Sequence, residues 1–171
     1  MKALIVYESM FGNTKALAQA VAEGLDEVFE VSLVEVSEMP PADGVDLLVV
    51  GAPTHAFGLS RPSTRQDASR QGPVSTGAVA VGLREYLDCA STLSGVRAAA
   101  FDTKINKPFV PGSAARTAVR QLRRLGCRVL VPAQSFRVDG TTGPLLDGEL
   151  PRARRWAQSL SALILSERHP V

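Results

Sequence analysis

Metal ligands and disulfide-forming residues are scarce in this sequence, which has only two cysteines and two histidines among 171 residues. Cys89 and Cys127 lack C-x-x-C spacing, and His55 lies far along the chain from His169. A disulfide framework or a structural zinc site needs more of these residues at closer spacing. The composition therefore argues against both, and we expect no metal site.

Long hydrophobic runs are also missing. No apolar stretch approaches the ~20 residues that a membrane-spanning helix needs. Met1 and Lys2 lead directly into a strand pattern, without the charged region, apolar region and cleavage site of a secretory signal. We therefore expect a cytoplasmic protein with no membrane span.

Neither sign of charge dominates, because the sequence has 19 Lys and Arg and 17 Asp and Glu, which gives a formal charge of +2. The isoelectric point near 8.7 is below the value above ~9 that a dedicated nucleic-acid-binding domain shows. The arginines of the segment 113–125 fall on its outward side, which we interpret as a solvated helix face. We do not expect nucleic acid as a partner.

Alternating strand and helix patterns fill residues 1–171 as one domain. Strands are predicted at 2–8, 29–36, 46–51, 96–102 and 128–133, the last continuing as a short ribbon through Phe136 and Val138. Helices are predicted at 13–25, 78–92, 113–125 and 149–166, where apolar residues recur at helical spacing. Such alternation predicts an α/β fold, a doubly wound five-stranded parallel sheet with helices on both faces. We assign this sheet the order 2-1-3-4-5, one of the common orders of doubly wound sheets.

The first strand runs through a glycine turn into an alanine-rich helix, with Ser9, Gly12, Asn13 and Thr14 in the turn. Backbone amides and hydroxyls then point along the positive end of the helix dipole, which predicts a phosphate site. Asn13 or Thr14 could cap the helix, so the alternative is a capped turn without a ligand. Neither G-x-G-x-x-G nor a Walker A motif is present, which favours a single terminal phosphate.

Residues 52–77 show no regular periodicity and contain several prolines and glycines. They follow the third strand, at the point where the winding of a 2-1-3-4-5 sheet reverses and ligands bind. We expect this segment to form no stable helix or strand and to cover a ligand bound beside the phosphate turn. The alternative is an ordinary surface loop.

Three segments at successive strand ends, Tyr7–Thr14, Gly51–His55 and Ala100–Lys104, resemble the phosphate loop and the two isoalloxazine loops of the flavodoxin-like flavoproteins. The resemblance runs through nearly the whole chain and implies FMN bound noncovalently. The residues implied at the phosphate end are Ser9, Met10, Phe11, Gly12, Asn13 and Thr14. Those implied around the ring are Pro53, Thr54, His55, Phe57, Gly58, Asp102, Thr103 and Lys104.

The sequence also departs from that family. Phe11 stands where the phosphate loop usually carries another hydroxyl. The ring loops offer His55 and Phe57, and then Phe109, in place of the usual Trp and Tyr. The net charge of this chain is positive, whereas classical members are strongly acidic, so we expect different partners. One hypothesis is that an acidic redox protein docks on the outward, arginine-rich side of the segment 113–125. Lys104 beside the ring would make the second-electron potential less negative.

We interpret the chain as an FMN-binding electron carrier served by a reductase and an acceptor protein, which requires no catalytic acid or nucleophile. One alternative is an NAD(P)H-dependent flavin or quinone reductase of the same fold, with residues 56–77 closing over the substrate. Another is a flavin-free interaction module.

Overall fold

Short apolar stretches form the strands of the computed structural model, which describes residues 1–74 and 77–168. His169 lies outside the described residues. The strands are β1 (Lys2–Tyr7), β2 (Glu30–Glu35), β3 (Leu47–Pro53), β4 (Arg97–Ile105), β5 (Arg128–Val129) and β6 (Gln134–Val138). The helices are α1 (Asn13–Leu25), α2 (Pro62–Ser69), α3 (Leu83–Cys89), α4 (Ala114–Arg124) and α5 (Glu149–Arg168), with a 3-10 turn at Val36–Glu38.

The sheet has the predicted order, β2-β1-β3-β4-β5, and each adjacent pair of these strands is parallel. The last strand differs from the prediction, because β5 ends at Val129 and β6 pairs separately with β4, also in parallel. Pro132 lies in the break and has no N–H to donate to the sheet. Two short strands therefore share one edge of the sheet.

Helices cover both faces of the sheet, as predicted. Side chains of a strand alternate between faces, so each central strand contributes to two cores. Leu4 and Leu48 pack with α3 and α4 on one face, while Ile5 and Val49 pack with α1 and α5 on the other. This arrangement leaves the carboxyl ends of β1, β3 and β4 free at one edge.

Several predicted boundaries were wrong. The helix predicted over 78–92 extends only from Leu83 to Cys89, and the strand predicted over 96–102 continues to Ile105. The extension carries β4 far enough to pair with β6, which explains why it remains extended. The prediction that 52–77 would hold no helix also fails, because α2 occupies Pro62–Ser69.

The buried side chain of Arg65 anchors α2 to the rest of the fold. Its side chain is 0% exposed, although arginine is rarely buried completely. Its Nε donates to the carbonyl of Val79 (3.0 Å), and its two terminal nitrogens donate to the Glu85 carboxylate at 2.8 and 3.2 Å. Arg65 thereby ties α2 to α3 and to the segment between them.

Glu8, at the end of β1, completes this buried group. Ser60 Oγ donates to Glu8 Oε1, and the same oxygen lies 3.9 Å from Arg65 Nη1. Gly82 provides the space, because a Cβ there would lie 2.1 Å from Glu8 Oε1 and 2.4 Å from Arg65 Nη1. We call Glu8, Ser60, Arg65, Gly82 and Glu85 the Arg65 cluster.

The Arg65 cluster contains two carboxylates and one guanidinium. Burial raises the pKa of Glu8 to about 7, even though its bond with Ser60 and the charge of Arg65 act in the opposite direction. Partial burial acts to raise the pKa of Glu85, but its bond with Arg65, the charge of Arg65 and hydrogen bonds from backbone amides together lower that pKa below its ordinary value. Of the two carboxyl groups, Glu8, next to the phosphate turn, therefore keeps its proton to the higher pH.

Among residues 1–74 and 77–168, no helix is long and apolar enough to cross a membrane. Within the same ranges, no three His, Cys, Asp or Glu residues are placed to hold a metal ion.

Gly24 sets how closely α1 packs on α5. A Cβ at this position would lie 2.4 Å from the carbonyl oxygen of Arg154 and 2.7 Å from Cβ of Ala157. Gly→Ala ordinarily stabilises a helix by ~1 kcal/mol. Here we expect Gly24→Ala to lower the free energy of unfolding by about 1 to 3 kcal/mol in urea denaturation. Gly140→Ala, where the nearest atom is 3.7 Å away, is the control and should change stability little; equal effects would contradict the packing argument.

Glu8 should make stability depend on pH. Its pKa is about 7 in the fold against an ordinary 4.5. Between these values the unfolded chain is ionised while the folded chain keeps its proton, so the Glu8 contribution to the free energy of unfolding falls as pH rises, by up to ~1.4 kcal/mol per unit. His55, whose pKa is lowered from 6.5 to about 4, contributes a slope of the opposite sign between its own two values, so the Glu8 contribution is read as a difference between variants. In urea denaturation the free energy of unfolding of the original protein, relative to that of Glu8→Gln, should fall across this window. The exposed control Glu27→Gln should keep the slope of the original protein. An unchanged slope in Glu8→Gln would exclude Glu8 as the source.

Candidate functional site

A cavity of about 310 Å³ opens at the carboxyl ends of β1, β3 and β4. Its volume is at the lower end of the range for small-molecule sites. The predicted site residues that line it are Ser9, Met10, Phe11, Asn13, Thr14, Pro53, Thr54, His55 and Thr103. The structure thus brings both predicted loops and the end of β4 to one place.

The N-cap residue of α1 has no side chain with which to cap the helix. Gly12 is the N-cap residue and has φ +92°, a left-handed conformation that favours glycine. The prediction that Asn13 or Thr14 would cap the helix was wrong. Asn13 Nδ2 instead donates to the carbonyl of Thr142 (3.1 Å), and the hydroxyls of Thr14 and Thr103 are 3.2 Å apart in a hydrogen bond.

Ser9 shapes this turn from inside. Its Oγ accepts the amides of Gly12 (3.1 Å) and Lys15 (3.2 Å), which fixes the path of the backbone. Within the described residues, the backbone amides of Asn13 and Thr14 have no hydrogen-bond partner. Two free amides at the positive end of a helix form a site suited to an anion.

Helix α2 and the segment after it pack over this turn. Met10 is buried with Ala68 and Ala78, and Phe11 packs against the same group. Phe11 therefore forms part of the apolar wall of the cavity, at a position where the family usually has a hydroxyl residue. Gly72 lies over the Phe11 ring, since a Cβ there would be 3.5 Å from Cε1. The segment expected to be a loop forms one wall of the site.

His55 starts a tight turn whose amide and carbonyl groups pair with those of Gly58, at 2.8 and 2.9 Å. The two central residues, Ala56 and Phe57, have positive φ values of 40° and 76°. Nδ1 of His55 is hydrogen-bonded to Thr64 Oγ1 (3.3 Å). Burial, with the nearby charge of Arg65, lowers the pKa of His55 to about 4, so its imidazole is neutral at pH 7.

Asp102 has a different place from the one predicted. It is fully buried, and its Oδ2 accepts from the Ser113 hydroxyl, the Thr54 hydroxyl (3.1 Å) and the Ala115 amide (3.0 Å). It therefore joins β3, β4 and the start of α4 and does not line the cavity. Ser113 itself caps α4, as predicted, by accepting the Arg116 amide.

Four other predicted residues lie outside the cavity wall. Thr103 and Ile105 line the cavity, and since side chains alternate along a strand, Lys104 between them points to the other face. Phe57 and Gly58 belong to the turn behind His55, and Gly12 contributes only its backbone conformation. The described wall contains no Lys or Arg.

Sequence reasoning missed the wall contributed by α2, namely Thr64, Asp67, Ala68 and, just after the helix, Gln71. It also missed Ala56, Ile105, Val138 and Thr141. Pro62 at the first helical position was a signal for α2. Ile105 is the last residue of β4, whose end was predicted too early, at residue 102.

The cavity combines an anion site at one end with apolar and hydroxyl side chains along the wall. This suits a ligand that carries an anionic group and needs few charged side-chain contacts. Among the lining residues described, the Thr64 hydroxyl bonds to His55 Nδ1, but no carboxylate bonds to that histidine as in a hydrolytic triad. The arrangement supports binding and orientation more than acid–base or nucleophilic chemistry.

Comparisons with known proteins agree with this geometry. A structure of a flavodoxin from the domain Archaea matches with 21% identity and a TM-score of 0.65, covering 96% of this chain and 99% of that chain. Oxidised flavodoxin 1 from Bacillus cereus matches with 18% identity and a TM-score of 0.67, over 97% and 98% of the two chains. A flavodoxin, WrbA-like protein from Agrobacterium tumefaciens has 18% identity and a TM-score of 0.63, over 98% of each.

At these identities the solved structures establish the fold alone. A search of curated proteins gives no match. The family model described as Flavodoxin matches residues 5–148, which is most of the chain and includes the phosphate turn, the turn after β3 and the end of β4. This protein belongs to the flavodoxin family.

Proposed function

We propose that this protein binds FMN noncovalently and carries electrons between a reductase and an acceptor protein. One observation carries the proposal: the start of α1 presents two free amides to a cavity at the switch point of a flavodoxin sheet. Membership of the flavodoxin family supports FMN-dependent electron transfer at the level of the family.

The phosphate would bind at the Ser9–Thr14 turn. The amides of Asn13 and Thr14 and the hydroxyls of Ser9 and Thr14 are the donors there. The helix dipole favours the anion, so the site needs no cationic side chain. Phe11 adds apolar contact where a further hydroxyl would otherwise donate.

The ring would lie along Pro53, Thr54, His55 and Thr103, which line the cavity. FMN, when bound, supplies one- and two-electron chemistry. The chain orients the ring, limits the access of water and sets the charge around it. His55 contributes a neutral ring because its pKa is about 4.

The charge near the ring differs from the sequence-based expectation. Lys104 does not line the cavity, so it no longer accounts for the expected less negative potential of the second electron. Asp67 is the ionisable carboxylate in the described wall, and its side chain is 69% exposed and 3.6 Å from Arg70. Solvent and this pairing screen it, which leaves the ring in a nearly neutral setting.

Absorbance tests the proposal directly. Purified protein mixed with FMN should show flavin bands between about 350 and 480 nm that stay with the protein through gel filtration. Under anaerobic conditions it should oxidise NADPH only when a separate reductase is added. Rapid NADPH oxidation by the protein alone would identify a stand-alone reductase, and failure to retain flavin would leave an interaction module of the same fold.

The phosphate turn yields a second prediction. Ser9→Ala and Thr14→Ala should each weaken FMN binding about tenfold or more, because each removes a hydroxyl donor to a dianion, worth ~1.5 to 3 kcal/mol. Riboflavin has the same ring without the phosphate and should bind the variants as it binds the original protein. Fluorescence titration measures both constants. Equal losses for the two flavins would place the phosphate elsewhere.

A further inference from the structure

Three apolar side chains are exposed close to the cavity. Phe109 is 100% exposed, Phe57 is 65% exposed and Val110 is 38% exposed. The two segments that carry them are in contact, because a Cβ on Gly112 would lie 2.0 Å from the carbonyl oxygen of Phe57. Exposed apolar side chains on two loops that contact each other are typical of an interaction site.

Positive charge is concentrated in the same part of the chain. Residues 103–138 contain eight of the 19 Lys and Arg and none of the 17 Asp and Glu. The remainder of the chain is therefore net acidic, although the whole carries only +2. The cations of this segment are Lys104, Lys107, Arg116, Arg120, Arg123, Arg124, Arg128 and Arg137.

Arg116 and Arg120 carry this charge on α4, near the turn that contains Phe57. Both are exposed on α4, and among the described residues neither forms an ion pair. Arg120 Nη2 donates to Thr117 Oγ1 (3.2 Å), which lies 3.4 Å from where a Cβ of Gly58 would be. We call Phe57, Phe109, Val110, Arg116 and Arg120 the rim patch.

The rim patch adjoins the cavity. His55 and Ala56 line the cavity, while Phe57 and Gly58, in the same turn, contact the start of α4 and its preceding loop. A protein seated on the patch would lie beside the proposed flavin ring. Short distance between redox centres is what electron transfer between proteins requires.

We propose that the rim patch is the docking surface for an acidic redox protein, an inference that rests on the proposed function. The apolar side chains form the dry centre of the interface, and Phe and Arg are residue types enriched in such interfaces. The arginines attract an acidic partner and orient it before contact. Because they have no ion pair to break, docking leaves no buried carboxylate on this chain unpaired.

Nuclear magnetic resonance can locate docking without electron transfer. The ¹⁵N-labelled protein is titrated with cytochrome b5, an acidic haem protein, and in parallel with cytochrome c, a basic one. At about 20 mM salt, cytochrome b5 should shift the amides of residues 57, 109–110 and 116–120, and about 0.5 M salt should reverse the shifts. Cytochrome c should leave them unchanged.

Electron transfer from the reduced, FMN-loaded protein to cytochrome b5 gives a second readout by stopped flow. Arg116→Glu with Arg120→Glu should slow the reaction at least about tenfold at low salt and remove its salt dependence. The matched control, Arg155→Glu with Arg168→Glu, makes the same change in net charge on α5, on the other face of the sheet, and should retain the original rate. Phe109→Ser should weaken binding and keep the salt dependence.

Each alternative outcome overturns the proposal. Equal slowing by both double variants would mean that net charge alone matters, and shifts away from the rim patch would place docking elsewhere. Stronger shifts of the same amides by a 20-base-pair DNA duplex would assign the surface to nucleic acid. The titration can also be run without flavin, so a failure to bind FMN is distinguishable from a failure to dock.

Discussion

The burial of the Arg65 guanidinium is the interaction on which the site depends. Helix α2 has eight residues, too few to be stable alone, and it is held by contacts of Arg65 with Glu85, Ser60 and Val79. Removing one partner of such a buried group typically costs about 3 to 5 kcal/mol. Because Glu8 belongs to the same group and directly precedes Ser9, the wall of the cavity and its anion site share one electrostatic support.

The parallel sheet and its two helical layers followed from the sequence because alternating strand and helix patterns are local. The strand order and the position of the site followed from the common order of doubly wound sheets. Apolar runs such as Asp46–Gly51 indicate central strands. The glycine turn at Gly12 indicates where the first strand ends and the first helix begins. The ends of the strands were harder to predict from the sequence. Ile105 remains extended because β6 pairs with it, a contact between residues distant in sequence.

Helix α2 and Asp102 show the limit of the same reasoning. The prolines and glycines of 52–77 indicated irregular structure, and nothing local reveals that Arg65 would be buried by residues from two other elements. Asp102 follows a strand at the expected position of a ring loop, but its carboxylate is used by Ser113, Thr54 and the Ala115 amide. Tertiary hydrogen bonds decided both outcomes, and the sequence pattern does not contain them.

The division of the last strand has a consequence for self-association. An uninterrupted edge strand presents a row of unpaired backbone groups that can pair with the edge of another molecule. Here the edge beside β4 consists of two residues in β5, an interruption at Pro132 and five residues in β6. At the opposite edge, β2 begins and ends with glutamate, Glu30 and Glu35. Both borders of the sheet thus discourage the intermolecular strand pairing that leads to aggregation.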